Sequence, residues 1–392
     1  VGTALAVFAP PPPMTDAAIY CRRLALTRQN PLVRLSLLLG DQFRGPWRWT
    51  APAVGLMFLV SFQQFETASL LGTTAWTVRL FKDQAGGLPL AASLRAATLP
   101  VCCELLMLLP VSLILVGSTS QRSAEQRQPK RLLHLLSVGC WCYLAAAALV
   151  ATVVPFGILR FDLIAGPRAL LANPANLHIL RREIFLGAMF AALACTIAVV
   201  VLRLAIDGSR GAATRSRRGL VAMILAPGLA GSLVVGLVLL ALFQQPAFNR
   251  VYGTAIPWVL ALVILSLPRL ALLQILLFAR REQRALHASA LLANSPQKAQ
   301  RGAARELTWH LRTKGLYWTT ALAAFWAYFD VSATTLLAPT RLTPAVVRLY
   351  NLMHYGRNAS LSTLTAMAVL APVILCVLVA FLWRRAGRWL PV

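Results

Sequence analysis

Three acidic residues that lie inside apolar runs are the side chains best suited to act on a solute. Glu66 and Asp330 each follow a phenylalanine towards the end of an apolar run, and Glu104 lies within another run. Acids are costly to bury in a membrane and usually mark a path for ions or solutes. Glu66 and Asp330 could therefore face each other and attract a cation at a pore mouth. Alternatively each caps or bonds its own loop, through Arg79 and Arg348, and Glu104 is expected to pair locally.

Arg269 is a basic residue midway along a further apolar run, directly after Pro268. Proline should kink this segment and free a backbone carbonyl group. A bent helix with a buried arginine could line a translocation path, so Arg269 joins Glu66 and Asp330 as a predicted pathway residue. It could equally extend to the membrane surface or pair with Glu104.

Recognisable motifs for other chemistry do not occur in the sequence. It has no GxxxxGK[ST] phosphate-binding loop, no CxxC pair and no HExxH zinc motif. Most of the seven cysteines lie inside apolar runs, where cysteine packs as a small apolar residue. We therefore expect a protein that is not an enzyme, has no metal site and holds no cofactor of its own.

The composition assigns the apolar runs to a membrane. Of 392 residues, 58% are hydrophobic and only 13% are charged. Soluble domains carry nearer a quarter charged residues. The formal net charge is +26, but the basic residues lie in short loops between apolar runs. This distribution argues against a nucleic-acid partner and favours contact with membrane lipid.

Eight apolar segments are long enough to cross a bilayer, which takes about 20 residues. They lack the alternation of barrel strands, so the predicted fold class is an all-α integral membrane protein, built as a polytopic helical bundle. The predicted spans are residues 50–72, 96–117, 133–157, 183–206, 219–244, 256–279, 316–338 and 362–384.

The distribution of basic residues among the loops predicts the orientation, because cytoplasmic loops are enriched in Lys and Arg. Loops 14–48, 118–132, 208–218 and 280–314, with the C-terminal end, carry more than twice as many of these residues as the opposite loops. We therefore expect these loops and the C-terminus in the cytoplasm.

Two parts of the chain are similar to each other. Residues 47–88 and 316–356 both contain Trp-Thr, a Phe followed by an acid, Leu-Leu, Val-Arg-Leu with an aromatic residue, and Gly. Arg79 and Arg348 lie at matching places in the two copies, 269 residues apart. The pattern predicts an internal repeat.

The repeat predicts two units. Residues 1–132 would be the C-terminal part of a first, N-terminally truncated unit, and residues 133–392 the second. Residues 1–9, shifted by the same spacing, match the end of the sixth predicted span. We therefore expect about 130 residues to be missing upstream and about twelve spans in the intact protein. The two halves would be parallel repeats, as in some transporters.

The blocks FETASLLGTTAWTVRLFKDQAGGL and ATTLLAPTRLTPAVVRLYNLMHYG resemble the fused, two-copy permease subunits of bacterial ABC importers that depend on a binding protein. They are most similar to the ferric-iron branch. The resemblance covers the chain from about residue 14 to its end. It implies a periplasmic signature made of Arg79, Phe81 and Gly86 in the first copy, and Arg348, Tyr350 and Gly356 in the second.

In this family a cytoplasmic loop before the repeated unit carries a short helix that docks on an ATPase subunit. The matching first loop contains Leu39, Gly40 and Arg44 and keeps the family's Gly-to-Pro spacing, but its Glu-Ala-Ala pattern is absent. In the second loop the nearest match lacks the Gly and Pro, and consists of Ala303, Ala304, Arg305 and Glu306. Both basic loops could dock on an ATPase, or serve only orientation and lipid head groups.

The resemblance implies the membrane-spanning subunit of an ATP-driven importer in the bacterial inner membrane, with ferric iron as the expected solute. Its partners would be a periplasmic substrate-binding protein and a separate cytoplasmic ABC ATPase, as a dimer. The alternative is an ATP-independent transporter, or a non-transporting scaffold derived from a permease. Docking loops that fold as short helices would favour the importer. Broken helices that converge on midplane acids would favour an ion-coupled carrier.

Overall fold

The computed structural model describes residues 47–65, 68–69, 71–87, 89–112, 174–208, 214–279, 283–339, 341–354 and 358–389, with isolated positions elsewhere. Within these ranges the chain forms helices and turns and has no strand, which confirms the all-α prediction for this part of the chain.

Fourteen helices are numbered here along the described ranges. In chain order they are α1 (Trp47–Phe62), α2 (Trp76–Ala85), α3 (Leu90–Ser112), α4 (Pro174–Gly208), α5 (Thr214–Leu225), α6 (Ser232–Phe243), α7 (Asn249–Tyr252), α8 (Ile256–Ala279), α9 (Gln283–Ala293), α10 (Lys298–Thr308), α11 (Lys314–Tyr328), α12 (Val331–Leu337), α13 (Ala345–His354) and α14 (Asn358–Trp389). A 3₁₀ turn (Pro227–Ala230) separates α5 from α6, and a π-helical turn (Trp309–Thr313) joins α10 to α11.

Four helices are long and apolar enough to cross a membrane. The segments are Leu90–Val111 in α3, Arg181–Ile206 in α4, Ile256–Ile275 in α8 and Thr363–Leu382 in α14. Two bent pairs, α5 with α6 and α10–α11 with α12, raise the number to six if each pair is one span. These helices are compatible with a multi-pass membrane protein, and their positions match six of the eight predicted spans.

The structure differs from the prediction at the first span, which was expected over residues 50–72. The helix α1 ends at Phe62, and its apolar part, Ala53–Phe62, is shorter than a bilayer requires. The polar residue Gln63 follows in a turn, so the helix does not continue beyond Phe62. The predicted span 133–157 lies largely outside the described residues.

Both bent pairs contain a residue that ends one helix and begins another. Gly231 adopts φ +93°, which side chains other than glycine rarely tolerate, and α5 and α6 meet there at 99°. Between α11 and α12 the bend is 59°. There the Asp330 carboxylate accepts a hydrogen bond from the Ala333 N–H at 3.2 Å and caps the new helix.

The helix α8 lies at the centre of the bundle. Of its candidate span, 72% is buried, against 17% for α3 and for α14, and α1, α4, α6 and α11 pack around it. Because Pro268 has no N–H, the Ile264 carbonyl lacks its usual helical partner. The 3₁₀ turn packs directly on this carbonyl, since a Cβ atom on Gly228 would lie only 2.1 Å from its oxygen. Glycine is therefore needed for this contact.

The helices in the two similar parts of the chain keep the spacing seen in the sequence. The helix α2 begins at Trp76 and ends at Ala85, and α13 begins at Ala345 and ends at His354, so both ends are 269 residues apart. In each copy a long apolar helix follows, α3 or α14. The spacing of the sequence motifs is thus also a spacing of helices.

Candidate functional site

Four polar residues that are buried or nearly buried lie where α1 ends, where α12 begins, and at the middle of α3 and α8. They are Gln63, Glu104, Arg269 and Asp330, and we call them the central polar cluster. Glu104 has no exposed surface, Gln63 is 8% exposed and Asp330 is 7% exposed. The surrounding side chains are mostly leucine, valine and alanine, so the cluster lies in an apolar environment.

Arg269 and Asp330 form an ion pair across α8 and α12. Arg269 Nη2 lies 3.5 Å from Asp330 Oδ2, and the two side chains are 12% and 5% exposed. The other carboxylate oxygen of Asp330 caps α12. Asp330 therefore holds α12 and α8 together while it begins the second half of a bent span.

Glu104 and Gln63 form the other half of the cluster. Gln63 Nε2 donates a hydrogen bond of 2.8 Å to Glu104 Oε1 and one of 3.3 Å to the Leu229 carbonyl, next to the break at Gly231. Glu104 Oε2 is buried and has no hydrogen-bond partner among the described residues. The 3₁₀ turn joins the two halves of the cluster, because its Leu229 carbonyl accepts from Gln63 and its Gly228 packs against Pro268, the residue before Arg269.

The cluster connects the first predicted unit, residues 1–132, with the second, residues 133–392. Gln63 follows the end of α1 and Glu104 lies in α3, whereas Arg269 lies in α8 and Asp330 caps the start of α12. With every group ionised, two carboxylates would share one guanidinium. A buried charge without a partner costs several kcal/mol, roughly the scale of a protein's whole stability. The cluster is therefore able to respond to a proton, to a cation or to a movement of either bent helix.

The predicted pathway residues have different outcomes. Glu66 lies outside the described residues, so its predicted position opposite Asp330 stays a prediction. Asp330 and Arg269 are brought together. Glu104, which was expected to pair locally, instead bonds Gln63, 41 residues away in sequence. Gln63 was missed, and the signal that could have found it is the polar Gln-Gln pair that interrupts an apolar run.

The predicted periplasmic signature lies on α2 and α13. Arg348 makes a two-pronged ion pair with Glu183 of α4, with Nε–Oε2 and Nη2–Oε1 distances of 2.6 and 2.7 Å. The hydrogen bonds to Glu183 raise the pKa of Arg348 above its ordinary value. Arg348 therefore fixes α13 on α4, and the alternative that Asp330 bonds through Arg348 is wrong.

The first copy of the signature is less tied to its surroundings. Arg79 is exposed. Phe81 contacts Phe65 with ring centroids 4.8 Å apart, which fixes α2 to the segment after α1. Gly86 ends α2. Tyr350 is half-buried on α13, and Gly356 lies outside the described residues.

The second predicted docking loop folds as a pair of short helices. The helix α9 packs against α10, and we call this pair the helical hairpin. Ala304 is buried at 1% exposure, whereas Ala303 and Glu306 are exposed. Arg305 belongs to α10. The residues predicted in the first loop, Leu39, Gly40 and Arg44, lie outside the described residues.

No group of three potential metal ligands occurs in the part of the chain that the structure describes. The chain matches no family model, and a comparison with curated proteins finds no significant match.

Proposed function

We propose that this chain is the membrane-spanning permease subunit of an ATP-driven importer in the bacterial inner membrane. It would receive a solute, ferric iron, from a periplasmic binding protein and release it into the cytoplasm. A dimeric ABC ATPase would supply the energy from a separate chain. The C-terminus and the loops rich in Lys and Arg would face the cytoplasm.

The observation that carries this proposal is the helical hairpin before the second repeated span. A chain that is moved by a separate ATPase needs a rigid cytoplasmic element for that partner to push. The hairpin is helical, and α10, the π turn and α11 continue as one run of helix from Lys298 to Tyr328. A push on the hairpin would therefore tilt α11, whose far end adjoins Asp330.

The central polar cluster supports the same mechanism at the other end of α11. Tilting α11 would separate Asp330 from Arg269. It would thereby strain the contact between the two predicted units, residues 1–132 and 133–392. Two arrangements of this contact, one for each orientation of α11, would open the path to one side of the membrane at a time. Glu66 and Asp330 remain the acids proposed to attract the solute.

An uptake experiment tests this proposal. Cells that lack the gene are complemented with the full-length protein, and the uptake of radiolabelled ferric iron is measured. We expect uptake to return with the wild type and to fall at least tenfold with Ala303→Asp, which changes the exposed face of the hairpin. Asn249→Asp adds the same charge on the opposite side of the membrane and should leave uptake unchanged.

A second candidate function, an ion-coupled carrier without an ATPase, is favoured by the two bent spans. Both bends adjoin buried polar residues: Gly231 approaches Gln63, and Asp330 itself lies at the other bend. Unwound helices beside membrane acids are typical of ion-coupled transporters. Collapse of the ion gradients with an ionophore, at maintained ATP, would stop uptake by such a carrier and spare an ATP-driven importer.

A further inference from the structure

One carboxylate oxygen of Glu104, Oε2, has no role in the proposed function. Glu104 is fully buried in α3, within a segment that could cross a membrane. Its Oε1 atom accepts a hydrogen bond from Gln63, and its Oε2 atom has no hydrogen-bond partner among the described residues. An ionised carboxylate in such a place would be expensive, and buried groups of this kind neutralise instead.

The described neighbours of Glu104 do not provide a second positive charge. Arg269 follows Pro268, which packs on the same 3₁₀ turn as Gln63, but its guanidinium forms the ion pair with Asp330. Gln63 uses both N–H bonds of its amide, one on Glu104 and one on Leu229. Two acids thus share one cation, and one further positive charge is needed for a neutral cluster.

A proton suits this position better than a metal ion. Hard cations take six or more oxygen ligands, or keep several waters. Here Gln63 turns its amide nitrogen towards Glu104, and the nearby Leu229 carbonyl is already used. No group of three potential metal ligands occurs in the described ranges. The missing charge is therefore one that a single oxygen can hold.

We propose that Glu104 is a proton-binding site inside the membrane, which exchanges its proton as Arg269 moves between two acids. In the present arrangement Glu104 carries the proton on Oε2, and Arg269 pairs with Asp330. In the other arrangement the O–H bond of Glu104 breaks, its electron pair stays on the carboxylate, and Arg269 pairs with it. Asp330 then takes up the proton, directly or through water, so that the cluster is neutral in both states.

Other charges on the elements packed against α3 lie away from Glu104. On α2 they are Arg79, Lys82 and Asp83. The Ser93 hydroxyl donates to Gln84 Oε1, so α2 contacts the first turn of α3, 11 residues or about 16 Å before Glu104. On α5 they lie near its start, at the end away from the 3₁₀ turn: Arg215, Arg217 and Arg218. On α1 the charged residue is Arg48 near its start, 15 residues before the neutral Gln63 that follows its end, and on α3 itself Arg95 lies nine residues before Glu104. The helix α6 and the 3₁₀ turn carry no titratable side chain.

This inference goes beyond the proposed function and does not depend on it. Proton exchange at Glu104 would accompany any movement that brings Arg269 from Asp330 to Glu104. This holds whether ATP or an ion gradient drives the movement. The site can be tested on the isolated protein in lipid, without an ATPase, a solute or a transport assay. Its failure and the failure of the importer proposal are therefore separate results.

Infrared spectroscopy of the full-length protein in lipid vesicles is the test. A protonated carboxylic acid in an apolar site gives a carbonyl-stretching band that shifts on exchange into heavy water. We expect this band in the wild type at neutral pH and its loss in Glu104→Gln. The exposed Glu306→Gln serves as a control and should keep the band.

Two further variants separate proton exchange from a structural role. Asp330→Asn leaves Arg269 without its partner, so Arg269 should turn to Glu104 and remove the band, although Glu104 is intact. Arg269→Gln should leave both acids protonated and enlarge the band about twofold. Retention of the band in Asp330→Asn would overturn the exchange.

Isotope labelling tests the proposal on the wild-type protein, so this test does not depend on whether a variant folds. Labelling the glutamate carboxyl carbons of the wild type should shift the band, because the proton lies on glutamate and not on aspartate. A wild-type protein without a glutamate-derived band at neutral pH would overturn the proposal.

Discussion

Gln63 and Asp330 each make one hydrogen bond within the central polar cluster and one to a backbone group of the bundle. The side chains of Arg269 and Asp330 are almost shielded from solvent. Such a pair is poor evidence for net stability, because taking both charges out of water costs about as much as their attraction returns. Removing only one of them leaves the other side chain buried without this partner, so it must pair with Glu104 or take up a proton.

A double-variant cycle should show this asymmetry. Asp330→Asn and Arg269→Gln should each lower the free energy of unfolding by about 1–3 kcal/mol, because the remaining side chain loses its buried partner. The double variant should be clearly less destabilised than the sum of the two, because neither side chain is then left without the other. Thermal unfolding of the detergent-solubilised protein measures all four forms, and additive effects would contradict the ion pair.

The sequence identifies some residues of the cluster but not their contacts. Arg269 and Asp330 stand out because charged residues inside apolar runs are rare. Their mutual contact depends on α12 turning back towards α8, which no local pattern encodes. Glu104 has no counterpart in the second copy and was therefore expected to pair locally, yet its partner Gln63 comes from the end of another helix.

At the scale of elements, the two bent spans decide where polar groups lie. The sequence predicts straight apolar segments over 219–244 and 316–338, since hydropathy averages over a break of one or two residues. The breaks depend on a backbone conformation at Gly231 and a side-chain cap at Asp330. Both residues are common in other settings, so their types alone do not predict a bend.

Gly231→Ala tests the first bend. Its φ of +93° is strained for alanine, and such positions cost about 1–3 kcal/mol. We expect a lower unfolding temperature and a disturbed contact with Gln63, whose Cγ atom lies 3.5 Å from the position of the new methyl group. The control is Gly219→Ala on α5, where a Cβ atom meets nothing within 4 Å. Equal stability of the two variants would contradict the bend.

At the scale of the whole molecule, orientation and repeat are predictions that rest on patterns spread over the whole sequence, and the orientation stays a prediction. Loop charges and a repeated motif persist over many residues, so errors at helix ends do not remove them. The described part of the chain has four to six helices that could cross a membrane, and α2 and α13 keep the repeat spacing. What sequence could not predict is the central position of α8, which depends on how all the helices pack.

Protease access tests the predicted orientation. A cleavage site inserted between α9 and α10, after Pro296, should be cut in inside-out vesicles and protected in intact spheroplasts. The same site inserted after Gly253, between α7 and α8, should show the opposite pattern. Cleavage of the hairpin site from outside would reverse the orientation and place the hairpin away from any cytoplasmic ATPase.

The most direct test of the importer proposal is the composition of the complex isolated from native membranes. The full-length protein is purified in mild detergent, and a chain with a nucleotide-binding domain is quantified by mass spectrometry. We predict about two copies of that chain for each wild-type molecule and for Asn249→Asp, and a loss of at least tenfold with Ala303→Asp on the hairpin. A wild-type preparation without an ATPase chain, under conditions that keep a known importer intact, would contradict the account.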